Sequence, residues 1–203
     1  MDIVLNTTFD NEYLPTAVFP GFVDTFSEAD GDVLLTEDLK DWEHVSSYSS
    51  GSILERISGN AAHKSGTPSG IHYVDALSAD GVLSATFPTI GGRNMPLVWR
   101  YVDASNYFTL LQNNSGTLYR ITRYVAGVAT VALGTSTASA NGDEVAVTLD
   151  GNTTYLRVNG TLLGSYTDST FNTATLHGVA SSASDTTIRM GSISFVAPGG
   201  AVE

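Results

Sequence analysis

The stretch Val145-Ala146-Val147-Thr148-Leu149-Asp150-Gly151-Asn152-Thr153-Thr154-Tyr155-Leu156-Arg157-Val158-Asn159-Gly160 decides the fold through its spacing. Val145, Val147 and Leu149 are apolar at every second position, and Leu156 and Val158 share a face in the same way. That is the period of an extended strand with one side turned inward. Asp150-Gly151 and Asn159-Gly160 are the pairs that best tolerate the positive φ angles of a two-residue hairpin turn. Asn141-Gly142, just upstream, reads as a third such turn.

The same pattern extends in both directions. Short runs alternating apolar and polar residues, separated by Gly, Asn, Asp and Ser, predict strands at 53–57, 71–77, 81–87, 97–103, 107–112, 116–124 and 128–133, then at 144–149, 154–158, 161–166, 175–180 and 187–196. One segment, 36–44, offers a helical turn, with Thr36 as N-cap and Glu37, Asp38 and Asp41 near its start. No internal repeat with a period of about 20–50 residues is present, which argues against a propeller or solenoid.

The chain has 203 residues and no cysteine. A chain of this length buries roughly 70% of its unfolded surface and needs no staples. The missing thiols exclude disulfide frameworks, thiol catalysis and cysteine-based zinc sites. Twenty-one carboxylates against nine Lys and Arg give a net charge of −12, which repels phosphate backbones and anionic lipid, so neither nucleic acid nor a membrane surface is an expected partner. Met1 to Asn6 lacks the basic and apolar regions of a cleaved leader, and no apolar run approaches the roughly 18 residues of a membrane span. The expectation is a chain neither exported by a leader nor anchored.

Eleven of the carboxylates fall within residues 2–43, where Lys40 is the one base. Residues 1–21 read differently from the rest, as an extended N-terminal arm. Ile3, Val4, Leu5, Phe9, Tyr13, Leu14, Val18 and Phe19 are mixed with Pro15 and Pro20 without a period of 2 or 3.6. The arm is too apolar for a solvated tail and too short for its own core, so it is expected to dock on something. Residues 22–203 are expected to form a single β-sandwich domain with a short C-terminal tail.

In sequence order come Asp24-Thr25-Phe26, Asp30-Gly31-Asp32, a lone Trp42, Gly59-Asn60-Ala61-Ala62 and Trp99-Arg100-Tyr101-Val102-Asp103-Ala104-Ser105-Asn106-Tyr107-Phe108, then Val158-Asn159-Gly160, Asp168-Ser169 and Gly178-Val179-Ala180. This order resembles the concanavalin A-like, laminin-G-like jelly-roll modules of bacterial surface proteins, polysaccharide-binding proteins and tailed-phage structural proteins. The resemblance covers roughly residues 21–196 and implies an all-β fold, an antiparallel β-sandwich of jelly-roll type behind the extended arm. Asp103 to Asn106 is expected to form a polar turn, with Val98, Arg100 and Val102 alternating with Trp99 and Tyr101 across the strand before it. Such sandwiches host hydrolases, lectins and inert scaffolds alike.

The hydrolases of that family place Glu-x-Asp-x-x-Glu on one strand, with nucleophile and acid about 5 to 5.5 Å apart. The nearest match, Glu28-Ala29-Asp30-Gly31-Asp32-Val33, has Val33 in place of the third carboxylate and a turn-forming Asp30-Gly31 where the mechanism needs a strand. The chain is therefore expected not to be an enzyme. His44, His63, His72 and His177 are scattered without a metal-binding spacing, no Gly-x-Ser-x-Gly elbow is present, and Gly91-Gly92-Arg93 lacks the lysine of a phosphate loop. Asp24, Glu28, Asp30 and Asp32 supply oxygens of the kind calcium takes, yet they fail the EF-hand spacing and read as a solvated acidic turn. No cofactor or metal is expected.

Sugars stack their C–H faces on exposed rings beside polar side chains. Of Trp42, Tyr48, Trp99, Tyr101, Tyr107 and Tyr119, the strand-embedded Trp99 and Tyr107 are expected in the core, leaving Trp42 and Tyr48 as the carbohydrate-binding candidates. The leading expectation is a non-enzymatic structural protein of a virion, a capsid decoration or cement protein of a tailed phage. It would form a homo-oligomer and contact the major capsid or other virion proteins through the arm, after assembly in the host cytoplasm. The alternative is a lectin-like module, or the receptor-binding part of a phage fibre, that takes a polysaccharide.

Overall fold

The structure is a computed structural model and describes residues 20–26, 31–32, 42–45, 53–57, 61–65, 70–90, 96–113, 117–181 and 189–199. The arm residues 1–19 and Tyr48 lie outside them, as do Glu28 to Asp30 and Val33 of the acidic stretch. The strands in chain order are β1 (Gly21–Asp24), β2 (Gly31–Asp32), β3 (Glu43–Val45), β4 (Ile53–Ile57), β5 (Ala61–Ser65), β6 (Gly70–Asp75), β7 (Gly81–Phe87) and β8 (Leu97–Asp103). They continue with β9 (Asn106–Asn113), β10 (Thr117–Val125), β11 (Val128–Ala138), β12 (Asp143–Asp150), β13 (Thr153–Val158), β14 (Thr161–Thr167), β15 (Leu176–Ser181) and β16 (Ser192–Val196).

Two antiparallel sheets face each other: a six-stranded sheet in the order β1-β16-β7-β12-β13-β14 and a seven-stranded sheet in the order β11-β10-β9-β8-β15-β6-β3. A small sheet, β2-β4-β5, stands apart. The all-β jelly-roll sandwich expected from the sequence is thus what the chain forms. Among the described residues no helix is long and apolar enough to cross a membrane.

Alternation builds the layers. In β7, Leu83, Ala85 and Phe87 are buried while Val82, Ser84 and Thr86 are half-exposed, and β12 and β13 repeat the pattern with Val145, Val147, Leu149, Leu156 and Val158. Opposite them, β8 to β10 contribute Leu97, Trp99, Phe108, Leu110, Tyr119 and Ile121 to the same core. Trp99 stacks on its cross-strand neighbour Phe108 at 6.0 Å. A polar bond also crosses the core: the Tyr119 hydroxyl of β10 donates to Asp143 Oδ2 of β12 at 2.6 Å, and Asp143 also accepts from Ala140 N and Asn159 Nδ2. A carboxylate so buried is tolerated because its acceptor sites are used.

Asn159 and Gly160 (φ 50° and 76°) close the β13–β14 hairpin as expected. Three other turns differ from the sequence reading. In the β12–β13 hairpin Asp150 pairs with Thr153, so the loop is Gly151-Asn152, one residue later, and Gly151 takes the positive φ. Asn141-Gly142 is no hairpin. It carries the chain from β11 in one sheet to β12 in the other, held by Ile90 N donating to Asn141 Oδ1 (2.7 Å) and Gly142 N to Phe87 O (2.8 Å). Glu43 and His44, given to the end of a helical turn, belong instead to β3, where the backbone ladder to Tyr73 and His72 of β6 outweighs a marginal local preference. Gly21, assigned to the arm, pairs with Val196 as the first residue of β1.

Candidate functional site

The outer face of the seven-stranded sheet carries a second apolar layer. Ile71, Tyr73, Val98 and Tyr101 are buried there, with Tyr107, Leu176 and Ala180 packed against them. Cross-strand register explains the assembly. Tyr107 of β9 lies directly opposite Tyr124 of β10, and Thr109 opposite Thr122, so each pair shares one face. The result is a row of four tyrosines. Ring centroids are 4.8 Å apart for Tyr73 and Tyr101, 6.1 Å for Tyr101 and Tyr107, and 4.7 Å for Tyr107 and Tyr124.

The first of these contacts needs an explanation, because Tyr73 and Tyr101 sit on strands separated by β15, and two strand spacings span about 9.6 Å. Gly178 of β15 lies opposite Tyr73 on one side and Val98 on the other, while Tyr101 faces Leu176, and a Cβ on Gly178 would stand 2.0 Å from His72 O. With no side chain beside Tyr73 on β15, the two rings meet diagonally over the strand. Aromatic pairs of this kind contribute about 0.5–1.5 kcal/mol beyond their burial.

The row grades from buried to open. Tyr73 and Tyr101 are 8% and 3% exposed, whereas Tyr107 and Tyr124 are half-buried. The Tyr73 hydroxyl donates to Glu43 Oε2 at 3.1 Å, and burial, then that bond and the Glu43 charge, push its pKa up to about 12. Tyr101 is also raised, chiefly by burial and secondarily by Asp103. At the open end Asp103 takes hydrogen bonds from Asn106 Nδ2 and Ser105 N, which hold its carboxyl below the usual range. Asn106 Oδ1 in turn accepts from Ala126 N. The expected polar turn at Asp103 to Asn106 therefore forms and ties the β8–β9 hairpin to the β10–β11 hairpin beside the exposed rings. Between the tyrosines, the Thr109 and Thr122 hydroxyls are buried without a hydrogen-bond partner.

Arg100 departs from the expected alternation. With φ at 48° it makes a bulge in β8, so Val98 and Tyr101 share the outer face while Trp99 turns inward. Arg100 itself is 1% exposed and runs to the end of the opposite sheet, donating to Asp80 Oδ1 at 2.9 Å and Gly151 O at 2.6 Å. Beside it His177 stacks on Phe195 at 4.2 Å, its Nε2 2.9 Å from Ser78 O and its Nδ1 accepting from Arg100 N. Burial first, helped by the Arg100 charge and opposed by the Ser78 bond and by Asp75, lowers the His177 pKa to about 4, so the ring is neutral.

Trp42 stands elsewhere and is half-buried. Its indole N–H donates to Asp24 Oδ2 at 2.9 Å and its ring meets Phe22 edge-on at 5.8 Å. It seals the core next to β1 instead of offering the free-standing ring expected of it. Asp24 is buried, its Oδ1 accepting from Phe26 N, and is committed to protein donors instead of a solvated acidic turn. Among the described residues no three His, Cys, Asp or Glu side chains gather closely enough to hold a metal ion. Trp99 and Tyr119 are core residues, as expected of Trp99. Tyr73 and Tyr124, the ends of the row, went unnoticed in the sequence because the pairing that aligns them joins distant segments.

No protein-family model matches the chain, and no curated protein matches it. Solved structures do. The β-glucanase of Bacillus licheniformis superposes with a TM-score of 0.58 at 14% identity, over 86% of this chain and 97% of that one. SCLam, a non-specific endo-β-1,3(4)-glucanase of family GH16, gives 0.56 at 9% identity over 86% and 89%. The exoplasmic/lumenal domain of VIP36, in a Ca2+- and Man-bound form, gives 0.52 at 9% identity over 82% and 86%. At these identities the likeness is one of fold, and together with the strand order it shows that the chain adopts a concanavalin A-like jelly-roll fold.

Proposed function

We propose that this chain is a non-catalytic carbohydrate-binding module whose ligand lies along the open end of the tyrosine row. The observation that carries this is the Tyr107–Tyr124 pair, stacked at 4.7 Å and half-buried on the outer face of the sheet. Tyr107 covers one side of the Tyr124 ring, and directly opposite Tyr124 on the next strand stands Ala129. The small residue leaves the far side of that ring open to the C–H face of a sugar, with the two hairpin turns holding the rings in place before a ligand arrives. For the sugar ligand alone, names among the similar structures add support, two being glucanases and one a Man-bound domain.

The non-catalytic part of the reading rests on what fills the middle of the face. Gly178, Val98, Thr109 and Thr122 follow one another across β15, β8, β9 and β10, where a retaining glycosidase needs two opposed carboxylates. Glu43 lies on the end strand, and Asp103 is bonded into its own turn. The test is a glycan array followed by calorimetry on the best ligand. Wild-type protein is expected to bind, and Tyr124→Ala to bind at least tenfold more weakly, equivalent to about 1.4 kcal/mol. Absence of any glycan signal, or equal binding by the variant, overturns the sugar reading; release of reducing sugar overturns the non-catalytic one.

A second reading, the virion structural protein assembled through its arm, draws its support from the apolar composition of residues 1–19. Removing those residues spares β1. On this reading the truncated protein folds but no longer assembles with or attaches to its partners, and unchanged assembly overturns it.

A further inference from the structure

The four strands on one side of the sandwich, β10, β11, β13 and β14, contain Arg120, Arg123 and Arg157 and no acidic residue. This is unusual ground in a chain with 21 carboxylates and a net charge of −12. β11 and β14 are the last strands of their sheets on this side. They run close together, for a Cβ on Gly164 would lie 3.0 Å from Leu133 Cδ1. The edges on the other side are short and acidic: β1 has 4 residues and ends in Asp24, and β3 has 3 residues and begins with the exposed Glu43. β11 has 11 residues, no charge, and exposed Val128 (67%) and Val131 (54%).

An exposed, uncharged edge strand is a template for another strand, and proteins that must stay alone blunt such edges with charge, proline or brevity. β11 has only its bulges, and these lie beyond its first four residues, which pair in regular register with Thr122 to Val125. We infer that the Val128–Val131 edge is an interface between two copies of this chain, joined antiparallel through β11. A second copy is the fitting occupant because the charge pattern allows it. Two bodies of charge −12 repel one another over most of their surfaces, and here the meeting strands carry no carboxylate of their own, while Asp168 beyond β14 is already paired with Arg123. An antiparallel edge is also complementary to itself, as a two-fold interface requires.

Side-chain parity requires the axis to pass through a residue, since residues opposite each other must share a face. Placed at Thr130, inside the exposed segment, it pairs Thr130 with its own copy and Ala129 with Val131. The axis stands perpendicular to the sheet, which puts both tyrosine rows on one side of a merged fourteen-stranded sheet, with the two Tyr124 positions three strand spacings across and two residues along, about 16 Å apart. The interface does not depend on the sugar reading.

Sedimentation of the full chain between about 1 and 100 µM tests it. Wild-type protein is expected to dimerise, more tightly as salt screens its net charge. Val128→Lys with Val131→Lys is expected to be monomeric over the same range with an unchanged melting curve, and Val102→Lys, at another exposed valine, to remain dimeric. Because the chain has no cysteine, Thr130→Cys gives a second readout that leaves the apolar edge intact: a disulfide-linked dimer under mild oxidation, where Val102→Cys gives none. A monomeric wild type, a dimer that survives both lysines, or equal cross-linking by the two cysteine variants overturns the inference.

Discussion

The two outer faces of this sandwich are built from opposite chemistry. On the six-stranded sheet outward hydroxyls satisfy one another, Ser84 with Ser194 at 2.9 Å, Thr86 with Ser192 at 3.0 Å and Thr153 with Thr167 at 3.4 Å, and the one tyrosine of β13, Tyr155, has Arg157 over its ring at 6.0 Å. On the seven-stranded sheet the outward residues include a row of four tyrosines in ring contact, beside the buried Thr109 and Thr122. A hydroxyl face that is already paired has little to offer a ligand, whereas a row of rings with one open end offers the apolar area on which a sugar's C–H face stacks. The shared fold does not decide which face is active. The side chains at the outward half of each strand do.

The strongest way to break that contrast is to cut into the tyrosine layer. Tyr101→Ala removes a ring that is 3% exposed and is expected to cost roughly 3–5 kcal/mol in denaturant unfolding, the range for deleting a buried aromatic. A cost under about 1 kcal/mol would mean that the layer is ornamental.

Acid comes next. His177, beneath that layer on β15, has its pKa lowered to about 4 from an ordinary 6.5. The unfolded chain therefore takes up a proton that the folded one refuses, and stability that is whole above pH 6.5 falls as pH drops through 4, by an amount on the order of 3 kcal/mol. His177→Gln should flatten that limb of the stability–pH curve. On the alkaline side, Tyr73 ionises near 12 instead of 10. Its contribution is intact below pH 10 and is lost as pH rises through 12, which absorbance at 295 nm on unfolding would follow.

The smallest expected effect sharpens the comparison from the other face. Ser84→Ala breaks one hydroxyl pair on a half-exposed strand position and should cost about 1 kcal/mol or less, a shift of about 2–4 °C in melting temperature at most for a domain of this size. It should leave glycan binding untouched. Loss of binding in this variant, with Tyr124→Ala unaffected, would exchange the roles assigned to the two faces.

Much of the architecture was legible because it is local. The alternation in 81–87, 97–103 and 53–57 marks strands with the observed bounds, and Asn159-Gly160 marks its hairpin. Where reading failed, longer-range partners had overridden local preference. Asn141-Gly142 has the chemistry of a tight hairpin, yet Ile90 and Phe87 hold it as a passage between sheets. Arg100 sits where alternation points outward, and contacts to Asp80 and Gly151, 20 and 51 residues away in sequence, hold it in a bulge. The candidate site was the least legible part. Trp42 looked available until Asp24 and Phe22 took up its polar edge and its ring, while Tyr73 and Tyr124 carried no mark of their importance.

By itself, the sequence determined an all-β chain with one face of each strand inward, its turns at Gly- and Asn-rich breaks, its acidity and its freedom from thiol chemistry. These follow from period, turn stereochemistry and composition, which every residue carries with it. Only the tertiary structure decided which outward residues would meet. A row of tyrosines from β6, β8, β9 and β10, and a side whose strands β10, β11, β13 and β14 carry no acid, exist only once pairing and register are set, and those depend on contacts between segments far apart along the chain.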